Sequence, residues 1–124
     1  MIERSDMLNN QAITLASEGN FKDAIACFKR AIVIEKENFL LWYNLGITYR
    51  DAGDLENAKN SLATAYKINP IDADVIETYA TICLSIGLYE ETRELCEDGL
   101  DLNPLNTHLW NLLGVTYFKS ENYS

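Results

Sequence analysis

The stretch Trp42-Tyr43-Asn44-Leu45-Gly46-Ile47-Thr48-Tyr49-Arg50-Asp51-Ala52-Gly53-Asp54-Leu55-Glu56-Asn57-Ala58 decides the fold. Trp42, Leu45, Gly46 and Tyr49 recur at three- and four-residue steps, so they share one face of a helix. Asp51-Ala52-Gly53-Asp54 breaks that helix. Gly53 can adopt the left-handed conformation that ends helices, and Asp54 can cap the next one. Leu55, Ala58, Leu62, Ala65 and Ile68 then form a second apolar stripe at helical spacing. Asn69-Pro70 stops it, because proline disfavours helix in the residue before it. So short a turn between two helices forces them to lie antiparallel.

Outward from this unit the chain repeats with a period of 34 residues. Gly19, Gly53 and Gly87 are 34 apart, as are Ala24 and Ala58, Ala31 and Ala65, Leu55 and Tyr89, and Pro70 and Pro104. Trp42 and Trp110, Gly46 and Gly114, and Tyr49 and Tyr117 are two periods apart. A fixed period of this length means one supersecondary unit stacked on copies of itself. Ala12, Gly46, Ala80 and Gly114 share one position in the first helices, faced by Ala24 and Ala58 from the second helices; small residues at a crossing let two backbones approach closely. Leu8, Gln11 and Ala12 replace Trp42, Leu45 and Gly46 in the first unit, and Lys36 stands where the later units have proline. The third unit has Thr92 and Gly99 in place of alanine, so its second helix is expected to be the least stable, by about 1 kcal/mol from Gly99.

The pattern Trp42-x-x-Leu45-Gly46-x-x-Tyr49…Gly53…Ala58…Ala65…Pro70 resembles the tetratricopeptide repeat family, over nearly the whole chain. The resemblance implies an all-α fold: a right-handed α-solenoid of antiparallel helix pairs, in a single domain over residues 1–124. Full repeats are expected at 5–38, 39–72 and 73–106, with one extra helix in a partial repeat at 107–124.

Composition narrows the function. The 124 residues carry a net charge of −9, and from Ala63 onward only Lys67, Arg93 and Lys119 stand against ten acidic residues. Such a surface repels phosphate backbones, so nucleic acid is not expected as a partner. No stretch is long and apolar enough for a membrane span, and Met1-Ile2-Glu3-Arg4-Ser5-Asp6 lacks the layout of a signal peptide, so the cytoplasm is the expected location. Cys27, Cys83 and Cys96 form no C-x-x-C pair and His108 is the single histidine, which argues against a zinc site. No catalytic constellation, phosphate-binding glycine loop or dinucleotide fingerprint occurs, so neither an enzyme nor a cofactor is expected. Asn122-Tyr123-Ser124 matches a glycosylation sequon, with nothing else pointing to secretion. Trp42, Trp110, Tyr49, Tyr79 and Tyr117 lie on repeat-defining faces and are expected in the core.

In the family this chain resembles, the first helices line the concave inner surface and usually hold peptides there. The resemblance therefore places a peptide-binding groove at Asn10, Ile13, Leu40, Tyr43, Asn44, Ile47, Arg50, Glu77 and Thr81. Asn10 and Asn44 are one period apart and are expected to project in register, where an asparagine amide can both donate to and accept from a peptide backbone. Ile13, Ile47, Leu84 and Val115 add apolar area around Tyr43. Members that grip a chaperone's C-terminal carboxylate do so with inner-face lysines and an arginine; here those places carry residues such as Asn9, Ile13, Asp74 and Thr78. No carboxylate clamp is expected, and the partner segment should be apolar or mildly basic, an extended strand or an amphipathic helix.

Two further surfaces stand out. Glu90, Glu94, Glu97 and Asp101 form one acidic stripe, either a solvated outer face or a docking patch for a basic partner. The last helix carries Leu109, Trp110, Leu112, Leu113, Val115, Tyr117 and Phe118, apolar nearly all round, which implies burial on most sides. Glu121-Asn122-Tyr123-Ser124 reads as the turn into a second helix, so either the natural chain continues or the bare end at Trp110, Leu113 and Tyr117 pairs with another copy as a homo-oligomer. The expected function is a protein-interaction scaffold. The alternatives are a self-assembling structural module and a regulatory or docking segment of a larger enzyme.

Overall fold

The computed structural model describes residues 4–122. Seven α-helices occur among them: α1 Ser5–Ser17, α2 Phe21–Ile34, α3 Phe39–Asp51, α4 Leu55–Ile68, α5 Ala73–Ile86, α6 Tyr89–Leu102 and α7 Thr107–Asn122. The first six pair as α1–α2, α3–α4 and α5–α6, at the expected places in the period. The turn expected at Glu121-Asn122 is instead the last part of α7. Tyr123 and Ser124, and with them the end of the sequon, lie outside the described residues.

The period is visible in the corners. Gly19, Gly53 and Gly87 all have positive φ, at 83°, 89° and 91°. At each, the glycine N–H bonds three residues back (to Ala16, Arg50 and Leu84), and the next N–H bonds five residues back (to Leu15, Tyr49 and Cys83). This is the paired closure of a left-handed helix end, and a side chain there would be strained. Helix starts are capped by side chains: Asp54 accepts from the Asn57 N–H at 3.1 Å, Asp72 from Val75 at 3.0 Å, and Asn106 from Leu109 at 3.2 Å. Asn38 caps α3 through the Leu40 N–H.

The chain gathers into two compact units, Met1–Asn69 and Pro70–Ser124. In the first, Leu8, Ala12, Ala24, Cys27, Phe28, Ala31, Ile32, Leu41 and Leu45 form a buried cluster flanked by half-buried Trp42 and Tyr49. The close crossings are as expected: Ala12, Ala24 and Ala58 are fully buried, and a Cβ on Gly46 would lie 2.8 Å from Leu62 Cγ and 3.3 Å from the Ala58 carbonyl oxygen. In the second unit Val75, Ile76, Ala80, Ile82, Cys83, Leu95, Cys96, Leu109, Leu112 and Leu113 are buried. Each of the larger side chains contributes about 1.5–3 kcal/mol by leaving water. Thr92, buried where the other units have alanine, satisfies its hydroxyl on the Leu88 carbonyl at 2.8 Å.

Gly99 also has a packing role. It does not merely loosen α6: a Cβ there would lie 2.4 Å from Leu109 Cδ1 and 3.0 Å from Ile76 Cγ2. The glycine is what lets α7 and α5 pack so closely on α6. All three cysteines are buried free thiols.

Candidate functional site

The expected groove residues of the first unit sit on α1 and α3, which lie side by side. Asn44 donates to Asn9 Oδ1 at 3.0 Å across the two helices. Asn10, expected to project in register with Asn44, is exposed, and the side-chain hydrogen bond between the two helices joins Asn9 to Asn44. The bond uses one N–H of Asn44 and one lone pair of Asn9. The Asn9 amide N–H groups and the Asn44 side-chain carbonyl are the parts the pair can offer to a peptide backbone.

Around this rung the surface is apolar. Ile13 is 45% exposed and Leu40 50%, while Tyr43 and Ile47 are half-buried. Arg50, the expected inward cation, is held by Asp51 at 3.2 Å. Such an exposed pair contributes little to stability and leaves the guanidinium free to exchange partners. In the second unit Glu77 and Thr81 are half-buried on α5, with the Thr81 hydroxyl donating to the Glu77 carbonyl at 2.7 Å. Thr81 has thereby spent its donor on its own helix.

A concavity that the sequence did not point to lies on the other side of the first unit. Ile32 and Val33 of α2, Trp42 of α3, and Thr64, Lys67 and Ile68 of α4 line a groove of about 580 Å³. The Trp42 indole N–H donates to the Lys36 carbonyl at 2.9 Å.

The end helix departs from expectation. Leu113 is buried, so it is not part of the bare face, and Trp110 and Tyr117 are not core: they are 52% and 45% exposed. Phe118, 67% exposed, belongs with them. Nothing lies within 4 Å of where a Cβ on Gly114 would stand. Beside this face, Glu90, Glu94, Glu97 and Asp101 of α6 are all exposed. Arg93 pairs with Glu90. That hydrogen bond and the Glu90 charge hold its guanidinium above the usual arginine range, with smaller contributions from Glu97 and from Tyr117 of α7. The Cys96 thiol, next to Glu97 in the chain, is pushed up to about 11, first by burial and then by Glu97. Among the described residues no helix is long and apolar enough to cross a membrane.

Comparison with known proteins places this architecture. A family model described as TPR repeat matches residues 14–53, and one described as Tetratricopeptide repeat matches residues 49–115. The peroxisomal targeting signal receptor of Candida albicans is 24% identical over 99 residues, covering 80% of this chain. BBSome complex member BBS4 of Bos taurus is 26% identical over 115 residues, covering 93%. The chain spans only 17% and 22% of the lengths of these two relatives. Among solved structures, the first TPR of Spaghetti (RPAP3), bound to the HSP90 peptide SRMEEVD, superposes with a TM-score of 0.86 at 18% identity, covering 95% of this chain and 94% of that one. The second TPR domain of human RPAP3, in complex with the HSP70 peptide SGPTIEEVD, gives 0.80 at 21% identity, covering 91% and 98%. These likenesses show the fold, an all-α solenoid of helix pairs.

Proposed function

Because the chain belongs to the tetratricopeptide repeat family, matched by one family model over residues 49–115 alone, we propose that it is a non-enzymatic protein-interaction module. It holds a segment of a partner against the exposed faces of its first-type helices, α1 and α3 foremost. The observation that carries this reading is the Asn9–Asn44 rung set between exposed Ile13 and Leu40 and half-buried Tyr43 and Ile47. It joins backbone-directed hydrogen bonding to apolar area, the combination that grips a peptide main chain while pockets select its side chains. The peptide complexes of the two RPAP3 domains support the mode of binding.

The chemistry of the ligand differs from theirs. Both of those peptides end in acidic residues. Here Asn9, Ile13, Asp74 and Thr78 occupy the places where lysines would be needed. We therefore assign the surface to an apolar or mildly basic segment, with no carboxylate clamp, in a protein of the cytoplasm.

A peptide array probed with the wild type and with Tyr43→Ala and Ile47→Ala tests this. Enrichment of apolar or basic peptides, with a loss of about tenfold in either variant, is expected, since each truncation removes roughly 1–2 kcal/mol of interface contact. Selection of acidic C-terminal peptides, or equal binding by the variants, would reject it.

A further inference from the structure

The groove of about 580 Å³ between α2 and α4 has a chemistry of its own. Its lining comes from three consecutive helices of the first unit, so it is formed by the stacking itself and is not an end of the stack. Clefts that hold ligands typically measure about 300–1,000 Å³. The apolar lining runs from buried Ile32 through half-buried Trp42 and Ile68 to Val33, which is 73% exposed. The uncharged donors there are spent. The Trp42 indole N–H is on the Lys36 carbonyl, and the Thr64 hydroxyl donates to the Asn60 carbonyl at 3.2 Å. An occupant therefore meets apolar surface, and is held otherwise only by charge.

That charge is positive. Lys36, Lys67 and Glu37 complete the lining, all exposed, and among the described residues neither lysine has an ion pair. The Glu35 carboxylate, next to Lys36 in the chain, is engaged by the Ser5 hydroxyl and the Asn38 amide. More widely, α2 and α4 carry Lys22, Lys29, Arg30, Lys59 and Lys67 against Asp23 and Glu56, in a chain of net charge −9. The repeat does not dictate this lining. One period after Thr64 and Lys67 stand Asp98 and Asp101, so the same positions are acidic in the next repeat.

We infer that the α2–α4 groove is a docking site for an acidic segment of a partner protein, one that presents a large apolar side chain between aspartates or glutamates. The apolar side chain packs against Ile32, Val33, Trp42 and Ile68, and the flanking carboxylates meet Lys36 and Lys67. A carboxylate on one exposed lysine contributes little by itself, so recognition needs the apolar contact and both charges together. The site is separate from the peptide surface of α1 and α3, and it prefers the opposite charge. The acidic stripe of α6 in a second copy does not fit: between Glu90 and Asp101 its large apolar side chains, Leu95 and Leu100, are buried.

The test uses the whole chain and four short synthetic peptides. One has a central Leu-Phe flanked by aspartates. Two have the same centre flanked by lysines or by serines, and one has aspartate flanks around Ser-Ser. Isothermal titration at low salt should show saturable one-to-one binding of the first in the micromolar range, weakening as salt rises, and at least tenfold weaker binding of the other three. Lys36→Glu combined with Lys67→Glu should lower the affinity at least tenfold, and so should Val33→Asp. All three side chains are exposed, so circular dichroism should be unchanged. Tyr43→Ala should bind the acidic peptide as the wild type does, which separates this site from the function proposed above. The inference is overturned by absence of binding, by affinity indifferent to these changes, or by preference for the lysine-flanked peptide. It is equally overturned if Tyr43→Ala abolishes the binding, which would give the acidic peptide to the α1–α3 surface. Self-association of the chain alone in sedimentation velocity, abolished by the two lysine reversals, would also overturn it by giving the groove to a second copy.

Discussion

Three glycines inside helices look alike in the sequence and differ in what stands opposite them. A Cβ on Gly99 collides with Leu109 and Ile76, one on Gly46 presses on Leu62, and one on Gly114 meets nothing. Gly114→Ala should raise stability by about 0.5–1 kcal/mol through helix propensity, whereas Gly99→Ala should lower it by about 1–3 kcal/mol despite the same propensity gain. Urea titrations of the two variants check the opposite signs. Cys96 gives a pH-dependent prediction. Its folded pKa of about 11 lies above the unfolded 9.0, so its contribution to stability is complete below pH 9 and is lost as pH rises through 11. Cys96→Ala should flatten that decline, and the native thiol should resist alkylation at pH 8. Which small residues mark close crossings was legible from spacing for Ala12, Gly46 and Ala58. The packing role of Gly99 was not legible, because spacing carries no information about the size of the residue facing it.

The helices end and begin where short polar residues and glycine dictate, and for these the sequence suffices. Gly53 and Asp54 were legible because an N-cap and a left-handed glycine are local devices, needing only their neighbours in the chain. Asp72→Ala should cost about 1 kcal/mol by freeing the Val75 N–H at the start of α5. Asp54 bonds both the side chain and the backbone N–H of Asn57, and these bonds, the side-chain one first, hold its carboxyl below the ordinary 3.8. The stability this gives is present above pH 3.8 and is lost as pH falls through the lowered value. Amide exchange at the start of α4 should therefore quicken under acid, and Asp54→Asn should remove that dependence. The faces of α7 were less legible. Its residues are apolar on more than one side, and hydropathy alone gave Leu113 to the bare face and left Phe118 out of it.

The whole chain is a series of repeats gathered into two compact units, so a local change should stay local. Stability in such arrays is close to a sum of each repeat and its neighbours. Gly99→Ala should lower hydrogen-exchange protection in residues 70–122 and leave α1, α2 and most of α3 within error of the wild type; a uniform loss would show that the units unfold as one. The period made the order and pairing of the helices plain. It did not reveal that Asn44 bonds Asn9, since a side-chain contact between neighbouring helices is not encoded in a repeat spacing. The two tryptophans carry a consequence of another kind. Trp42 and Trp110 have the same indole hydrogen bond and the same place in the period, yet one is half-buried and the other is exposed. They form a matched optical pair: anything that settles on α7 should shift the emission of Trp110 toward the blue while Trp42 keeps its colour as an internal reference, so the unmodified chain can report its own occupancy without a dye.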